Sequence, residues 1–507
     1  MSDYLYSSAE IRAIESAHAK QKPKDLLMLR AGKAVAMLAT NIVKKKRAAR
    51  ILVLAGPGNN GGDAWVAAAA LNKAGQRVTV FEIAAQKNAD PAAKSAAAAY
   101  RKMKGVVVST IPTDAKFDLI IDGLFGIGLK RAPEGVYADV IALANANADR
   151  HLTPILAIDV PSGLSADTGV AFGATIRADF TLTFLGAKPG LYTADGVDTA
   201  GEIHVDTLGT TATDSNGELL NRANIAPLIP KRRNNSHKGT YGNVAIIGGA
   251  TGMIGAAVLA ARAALHMGPG KVFLGFVAAN APGFDTLNPE IMVHRAEDVI
   301  NEISLTSIAI GMGLGTDKAA AHLLTSALAR ALPTVIDADA LSLISPNPSI
   351  HAAFGAKEAG EPRQCLSFVL TPHPGEAARL LGVSTEEIQS DRVNAAISIA
   401  AKFETVTVLK GAGSVIATPD GRYWINTSGN PGMASGGMGD ALSGMIAAFL
   451  AQGISALDAA KLGVYLHGAA ADECLAHGMA PHGLTASEVI FEARTLLNAG
   501  LDAHDHD

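Results

Sequence analysis

The sequence predicts an α/β fold in two domains, and three observations carry that prediction. Short Val/Ile/Leu runs alternate with alanine-rich helical stretches, the pattern of parallel strands joined by crossover helices. The length of 507 residues exceeds what one hydrophobic core normally serves. A polar stretch after Asp206 interrupts the alternation, which then restarts.

The first domain is expected over residues 1–215, with buried-strand candidates "ILVLAG", "RVTVFEI", "DLIIDGLFG", "PILAIDV" and "FTLTFLG". Between them "PAAKSAAAAYRKMKG" reads as a crossover helix, because alanine has the strongest helix propensity. The stretch "TLGTTATDSNGELLNRANIAPLIPKRRNNSHKGTYG" is polar, carries Gly and Pro, and contains a basic run, so an interdomain connection is expected over 216–235. Its "KRR" reads as solvated linker rather than a nucleic-acid patch. The second domain, 236–500, brings "NVAIIGG", "KVFLGFV", "SIAIGMG", "PTVIDAD", "SFVLTPH", "TVTVLKG" and "GSVIATP". Residues 501–507, ending "AHDHD", read as a disordered tail. No short-period repeat suggests a solenoid. In both halves glycine-rich turns follow strand candidates, at the edge where open α/β sheets bind ligands.

Composition narrows the function. With 18% charged residues and a net charge of -4, the chain lacks the basic excess of a nucleic-acid binder, so no nucleic-acid partner is expected. Cys365 and Cys474 are too few for a disulfide framework and have no metal-ligand spacing, which fits a reducing cytoplasm. The start "MSDYLYSSAEIRAIESAHAK" has no basic segment followed by an apolar one. No apolar run reaches the ~18 to 20 residues of a membrane span. A cytoplasmic location without a membrane partner is expected.

The segment "ILVLAGPGNNGGDAWVAAAALNKAG" contains a G-x-G-x-x-G at Gly56, Gly58 and Gly61, and Glu82 ends the next strand candidate about twenty residues on, where a dinucleotide's ribose-binding acid would sit. Other residues resist a dehydrogenase reading. Pro57 removes one amide from the turn, while Asn59, Asn60 and Asp63 add side-chain oxygens that suit a hard cation, a ribose hydroxyl or an amide better than a pyrophosphate. The plainer alternative is a tight turn that caps a helix. Further along, "IIDGLFGIGLKRAP" places Asp122 at a strand end before Gly126, Gly128, Lys130 and Arg131, of which the last two suit a phosphate. "AIDVPSGLSADTG" adds Asp159 and Ser162, and "TFLGAKPGL" adds Lys188. Strand-end acids beside glycine turns recur at one sheet edge, which core packing alone does not require.

"GPGNNGGDAWVAA", "DGLFGIGL" and "IDVPSGLSADTG" together resemble the NAD(P)HX epimerases, whose fold is Rossmann-like, a three-layer αβα domain. The resemblance implies that a hydrated nicotinamide nucleotide is the substrate and that its R and S epimers at C6 are interconverted. It places Asn59, Asn60, Gly61, Gly62 and Asp63, then Gly126, Ile127, Gly128, Leu129, Lys130 and Arg131, against the hydrate, with Asp159 near the reacting ring. It assigns a potassium ion to Asn60, Asp122 and Ser162. Ala64 stands where the family has glycine, and "DGLFGIGL" replaces "DALFGTGL", departures confined to loop detail. Epimerising a carbinolamine carbon needs proton transfer in a polar site; Asp159 is the expected acid/base, and Lys188 the expected hydrogen-bonding or charge-tuning partner.

In the second half, "NTSGNPGMASGGMGDALSGMIAAFLAQG" leads from Gly436, Gly437 and Gly439 into Asp440 and an apolar helix. Backbone amides at a helix start hold phosphate charge, and a carboxylate beside them suits removal of a hydroxyl proton during phosphoryl transfer. A glycine-rich helix cap with an ordinary first-turn acid is the plainer alternative. "VLKGAGSVIATPDG" offers a tight turn for an adenine nucleotide, "LTPHPGEAARLLG" presents His373 and Glu376, and "GGATGMIGAAVLAARAAL" supplies a flexible turn before a small-residue helix. Asp337 and Asp339 of "DADAL" either orient substrate or magnesium, or cap a strand end.

The combination "KGTYGNVAIIGGATGMIGAA", "GMGLG", "DADAL", "LTPHPGE", "LKGAGS" and "GNPGMASGGMGDALSG" resembles the ribokinase-like, ADP-dependent NAD(P)H-hydrate dehydratases. The resemblance implies contacts to the hydrate from Ala256, Gly313, His373 and Asp440, with Asp440 catalytic, and to the adenine nucleotide from Lys410, Gly411, Ala412, Gly413, Ser414 and Gly439. Met438 replaces the threonine of "GGTGD", and "MGPGKV" replaces "AGAGLV". ADP as co-substrate, magnesium, NADHX and NADPHX as substrates and a homo-oligomeric assembly are the expectations. The rivals are a small-alcohol or vitamin-precursor kinase, a dehydrogenase, and a non-enzymatic nucleotide-binding scaffold.

Overall fold

The computed structural model describes residues 3–19, 25–83, 91–111, 115–211, 214–345, 347, 350, 354 and 367–501. Cys365 and residues 502–507 of the expected tail lie outside the described residues. The chain divides into two compact units, Met1–Glu218 and Leu219–Asp507.

In the first unit the strands run in the order Val106–Val108, Arg77–Glu82, Arg50–Ala55, Leu119–Gly123, Ile155–Ile158, Phe180–Phe184 and Glu202–Asp206, all parallel. Both faces are covered. Ile51, Val53, Leu119 and Ile121 pack with Ala64, Trp65 and Ala68 of the helix Asn59–Lys73, while Leu52, Leu54 and Ile120 pack with Val140, Ile141 and Ala144 of the helix Val136–His151. This is the three-layer αβα arrangement, and burial on both faces is why these strands read as unbroken apolar runs. The chain moves outward from Arg50–Ala55 and then returns to place Leu119–Gly123 on that strand's other side. The sheet therefore has a topological switch point there, where such folds take ligands.

The second unit repeats the logic with other helices. Its strands run Tyr423–Asn426, Val415–Ala417, Val406–Leu409, Phe368–Leu370, Thr334–Ile336, Ser307–Ile310, Asn243–Gly248, Lys271–Phe276 and Met292–Arg295. Pairing is parallel from Val406–Leu409 to Met292–Arg295 and antiparallel in the terminal hairpin strands. The switch point lies between Asn243–Gly248 and Ser307–Ile310. The helix Met438–Ala451 is apolar all round because it is enclosed all round. Gly444 lets it approach the helix Ile254–His266 closely, since a Cβ there would lie 2.1 Å from Ala260 O.

The stretch 216–235, expected as a connection, carries regular structure: the strand Gly217–Leu220, the short helix Arg222–Ile225 and a 3-10 turn over Ala226–Leu228. Asn221 and Asn224 form a capping box that starts this helix, and Leu220 and Ile225 are buried in the second unit's core. The polar composition hid those two apolar anchors. In "KRR", Arg232 stacks over the Tyr241 ring at 4.1 Å and donates to Gly268 O. Among the described residues no helix is long and apolar enough to cross a membrane.

Candidate functional sites

At the first switch point, Gly56 and Gly61 are demanded by packing. A Cβ at Gly56 would lie 2.0 Å from Leu124 O, and one at Gly61 1.8 Å from Gly56 O. Around Gly58, by contrast, a Cβ would meet open space. Gly58 is the N-cap of Asn59–Lys73 and gives the helix no side-chain cap, so the Asn-Asn-Gly-Gly-Asp sequence does not serve as the helix cap. Amides at such an end face a ligand.

Asn60 bridges three strand ends. Its Nδ2 donates to Phe125 O at 2.8 Å and to Ile158 O at 3.1 Å, which fixes the amide and leaves Oδ1 beside Gly126. Asp122 is fully buried and accepts from Ser162 Oγ at 2.7 Å, Ser162 N at 2.8 Å and Leu124 N at 3.1 Å. Burial nonetheless pushes its carboxyl up to about 6, against the pull of those hydrogen bonds. Ser162 Oγ also accepts from Phe125 N at 2.9 Å, so the three residues expected around potassium are tied into one polar cluster. Among the described residues no group of three His, Cys, Asp or Glu side chains converges as a metal site.

Asp159 follows the strand Ile155–Ile158 with φ at 66°, a left-handed conformation unusual for a non-glycine residue. Its Oδ1 accepts from Lys188 Nζ at 2.6 Å. The other two ammonium protons go to Thr183 Oγ1 at 2.8 Å and Phe184 O at 2.6 Å, which makes a fully buried lysine tolerable. Asp159 Oδ2 lies against Gly126, where a Cβ would stand 3.2 Å away. The partly buried Asp63 has its carboxyl held well above the usual range by burial first, then by Asp159 and Glu15. Ile127 packs on the core, Leu129 N closes a turn to Gly126 O, and Gly128, Lys130 and Arg131 are exposed. Glu82 is paired with Arg101 instead of facing the turn as a ribose acid.

At the second site, Gly437 adopts φ at 90° and starts the helix Met438–Ala451 without a side-chain cap. A Cβ at Gly439 would lie 3.2 Å from Lys410 Nζ, so the ammonium sits directly over the glycine turn. Lys410 Nζ donates to Asp337 Oδ1 at 2.7 Å, and Ser443 Oγ donates to Asp337 Oδ2 at 2.7 Å. Burial alone would lower Lys410, but Asp337, Glu376 and Asp440 hold it above its usual value. Asp337 is thus committed to Lys410, Ser443 and the amide of Ala338, and Asp339 Oδ2 to Gly315 N at 2.8 Å. Asp440, in the helix's first turn, is pushed up to about 6 by burial and then by Asp337, with Lys410 opposing. It is no ordinary surface first-turn acid.

His373 caps the helix Pro374–Leu381, accepting from Gly375 N at Nδ1 over 3.0 Å, while its backbone amide donates to Glu376 at 2.8 Å. Burial, then Lys410 and Arg379, lower its basicity, with Asp337 opposing, and Nε2 lies 3.4 Å from Glu376 Oε1. Gly313 turns at φ 62° against Met253, whose carbonyl accepts from Ala256 N at the start of Ile254–His266. In the Lys410–Ser414 turn, Gly411 and Ala412 are exposed, Gly413 adopts φ at 61° and Ser414 Oγ donates to Gly411 O at 3.0 Å. Met438 is buried in the core, so its replacement of threonine leaves the amides of the turn unobstructed.

Sequence reasoning missed Thr183, Ser443, Arg392 and His467. Ser443 lies one turn beyond Asp440, a spacing that places both on one helix face. Arg392 is buried behind the Lys410–Ser414 turn, where Nη2 donates to Lys410 O at 3.2 Å. His467 is buried with Nε2 unpartnered among the described residues, and burial followed by Lys410 lowers it to about 4. Nothing in the local sequence flags Thr183, Arg392 or His467.

Two switch-point sites with open helix starts define an α/β protein with two nucleotide-handling centres. The NAD(P)H-hydrate dehydratase family matches residues 244–492, and the YjeF-related protein N-terminus family matches residues 24–190. The bifunctional NAD(P)H-hydrate repair enzyme of Coxiella burnetii is 37% identical across 97% of this chain and 99% of its own. Its counterpart in Escherichia coli is 38% identical across 95% and 91%. The crystal structure of the ADP/ATP-dependent NAD(P)H-hydrate dehydratase of Bacillus subtilis, obtained with ATP and Mg2+, is similar at 32% identity and a TM-score of 0.48, covering 56% of this chain and 98% of its own. The chain belongs to the bifunctional NAD(P)H-hydrate repair enzymes.

Proposed function

We propose that this chain repairs hydrated nicotinamide nucleotides, with residues 1–215 interconverting the R and S forms of NADHX and NADPHX and residues 236–500 dehydrating the S form. The observation that carries this reading is a pair of lysine–aspartate contacts built in opposite senses. In the first site the lysine is 0% exposed and the aspartate 14%; in the second the lysine is 19% exposed and the aspartate 1%. One site offers its ligand a carboxylate, suited to a ring that becomes cationic. The other offers an ammonium beside helix-start amides, suited to phosphate.

In the first site Asp159 handles the proton and Lys188, whose donors are all engaged, positions it. Asn60 Oδ1, Asp122 and Ser162 Oγ are hard oxygen donors, and a buried carboxylate pushed up to about 6 is short of positive charge, which together fit potassium. An ion held by these three residues would offset the charge of Asp122. In the second site Asp440 takes the proton of the hydrate's hydroxyl as that oxygen accepts the β-phosphoryl group of ADP, releasing AMP. Phosphate then leaves C6, a proton leaves C5, and NAD(P)H is restored. Asp337 is already committed to Lys410 and Ser443, so magnesium would be held by the nucleotide's phosphates and would supply charge neutralisation there. A cytoplasmic, homo-oligomeric enzyme completes the reading.

The test is recovery of the reduced-nicotinamide absorbance from mixed R and S NADPHX with ADP and magnesium. The full chain is expected to convert both epimers, and the Asp159→Asn chain to stall once the S form is consumed. Absence of recovery with ADP and with ATP would leave a small-alcohol kinase or a binding scaffold in its place.

A further inference from the structure

Asp63 is a carboxyl at the first site that neither the ion cluster nor the Lys188 contact engages. It lies one turn after Asn60 in the helix Asn59–Lys73, which places the two on the same helix face. The turn is anchored from behind, since a Cβ at Gly32 would lie 2.7 Å from Asp63 O. The carboxyl itself, partly buried, has no hydrogen bond or ion pair among the described residues. Asp159 has its outer oxygen against Gly126, and Asn60 lies against the same glycine. The two acids follow Arg50–Ala55 and Ile155–Ile158, which flank Leu119–Gly123. The two acids are near enough for the charge of Asp159 to act on Asp63.

We propose that Asp63 is a catalytic acid of the epimerisation, working against Asp159 as base on the opposite face of the reduced ring. The proposal rests on the epimerase reading of the first unit. Asp63 gives its proton to the C6 hydroxyl, the C6–O bond breaks, water leaves and the N1 lone pair forms an N1=C6 cation. Water then adds to C6 from the other face, its proton passes to Asp159, and N1 recovers its lone pair. Asp63 finishes as carboxylate and Asp159 as acid, the form ready for the opposite epimer, and solvent exchange of the two protons resets the pair. No reactant beyond water is required.

The surroundings support the division of labour. The charges that act on Asp63 are those of Asp159 and Glu15, both negative, and together with burial they favour its protonated form over the pull of the helix start. Of the cations on the helices packed on Asn59–Lys73, Arg30 donates to Leu208 O and Arg101 to Glu82, and neither they nor Lys33 and Lys94 are among the charges that act on Asp63. Asp159, in contrast, has the Lys188 ammonium at 2.6 Å.

The experiment uses the full chain with R-NADPHX in 18O-water, following the S epimer and the isotope at C6. Wild type is expected to place one solvent oxygen at C6 per inversion, and its kcat to fall as pH rises and Asp63 loses its proton. Asp63→Asn is expected to lower kcat about 10²- to 10⁴-fold with KM held within about threefold, and Asp63→Glu to recover part of the loss. A raised KM at unchanged kcat would make Asp63 a binding residue only. Inversion without solvent oxygen, or a wild-type kcat flat from about pH 5 to about pH 9, would also overturn the proposal, and these two need no variant that folds. A wild-type chain that does not epimerise at all removes the epimerase reading itself, which is a separate result.

Discussion

The two units use the same contact for opposite ends. Lys188 meets Asp159 at 2.6 Å and Lys410 meets Asp337 at 2.7 Å, each at the carboxyl edge of a parallel sheet. In the first unit Thr183 and Phe184 seal the lysine, and the carboxylate is the exposed partner. In the second, Ser443 and the amide of Ala338 seal the carboxylate, and the lysine faces the glycine turn. Which partner receives the extra hydrogen bonds decides the sign of charge shown to the ligand. Asp337, not Asp440, satisfies the lysine, which leaves Asp440 available for the base role proposed for it.

The sharpest break of this comparison is to remove each base in turn. Asp440→Asn is expected to lower dehydration about 10²- to 10⁴-fold while epimerisation continues, and Asp159→Asn to do the reverse. Loss of both activities from either change would refute independent sites. The pH dependence carries the same information. Because burial pushes Asp440 up to about 6, its ionised form is lost as pH falls below that value, and kcat/KM for dehydration should decline there instead of near the ordinary aspartate range.

Removing each lysine gives a somewhat smaller and asymmetric effect. Lys188→Met strips Asp159 of its charged partner, leaving only longer contacts from Thr183 Oγ1 at 3.3 Å and Phe184 N at 3.4 Å, and should destabilise the first unit by about 3–5 kcal/mol, read as earlier thermal or urea unfolding. Lys410→Met leaves Asp337 with Ser443 and Ala338 still donating. Its stability loss should therefore be smaller, and its main symptom should be a raised KM for ADP, measured in the dehydration assay. Equal unfolding of the two variants would mean that the two contacts are not inverted in any energetic sense.

Much of the fold was legible because parallel strands enclosed on both sides must be apolar at every position. "ILVLA", "LIID" and "VAII" announce themselves in that way. Glu202–Asp206 and Met292–Arg295 did not, since they stand at sheet margins, part-exposed and mixed in polarity. The glycine turns with their following acids were equally legible, because backbone approach restricts residue type locally. What was hidden is the wiring. Ser443 reaches Asp337 across 106 positions and Lys410 reaches it across 73, contacts that exist only once the crossovers have ordered the strands. Nor could sequence reveal that, among the described residues, Asp63 stands unpartnered while Asp159 does not.

The smallest expected effect tests the dinucleotide reading that the G-x-G-x-x-G pattern invites. Glu82 has the spacing of a ribose-binding acid, yet its carboxylate is taken by Arg101, whose guanidinium also lies 5.2 Å from the centre of the Trp65 ring. An exposed pair of this kind contributes about 0–1 kcal/mol, so Glu82→Gln should shift unfolding only slightly. The KM of epimerisation for NADPHX should stay within about twofold of wild type, because a glutamate turned to a neighbouring helix contributes nothing to a ligand at the switch point. An increase of about tenfold, equal to about 1.4 kcal/mol of lost binding, would show that Glu82 leaves Arg101 for the ribose and that the first unit holds its substrate as a dehydrogenase holds its cofactor.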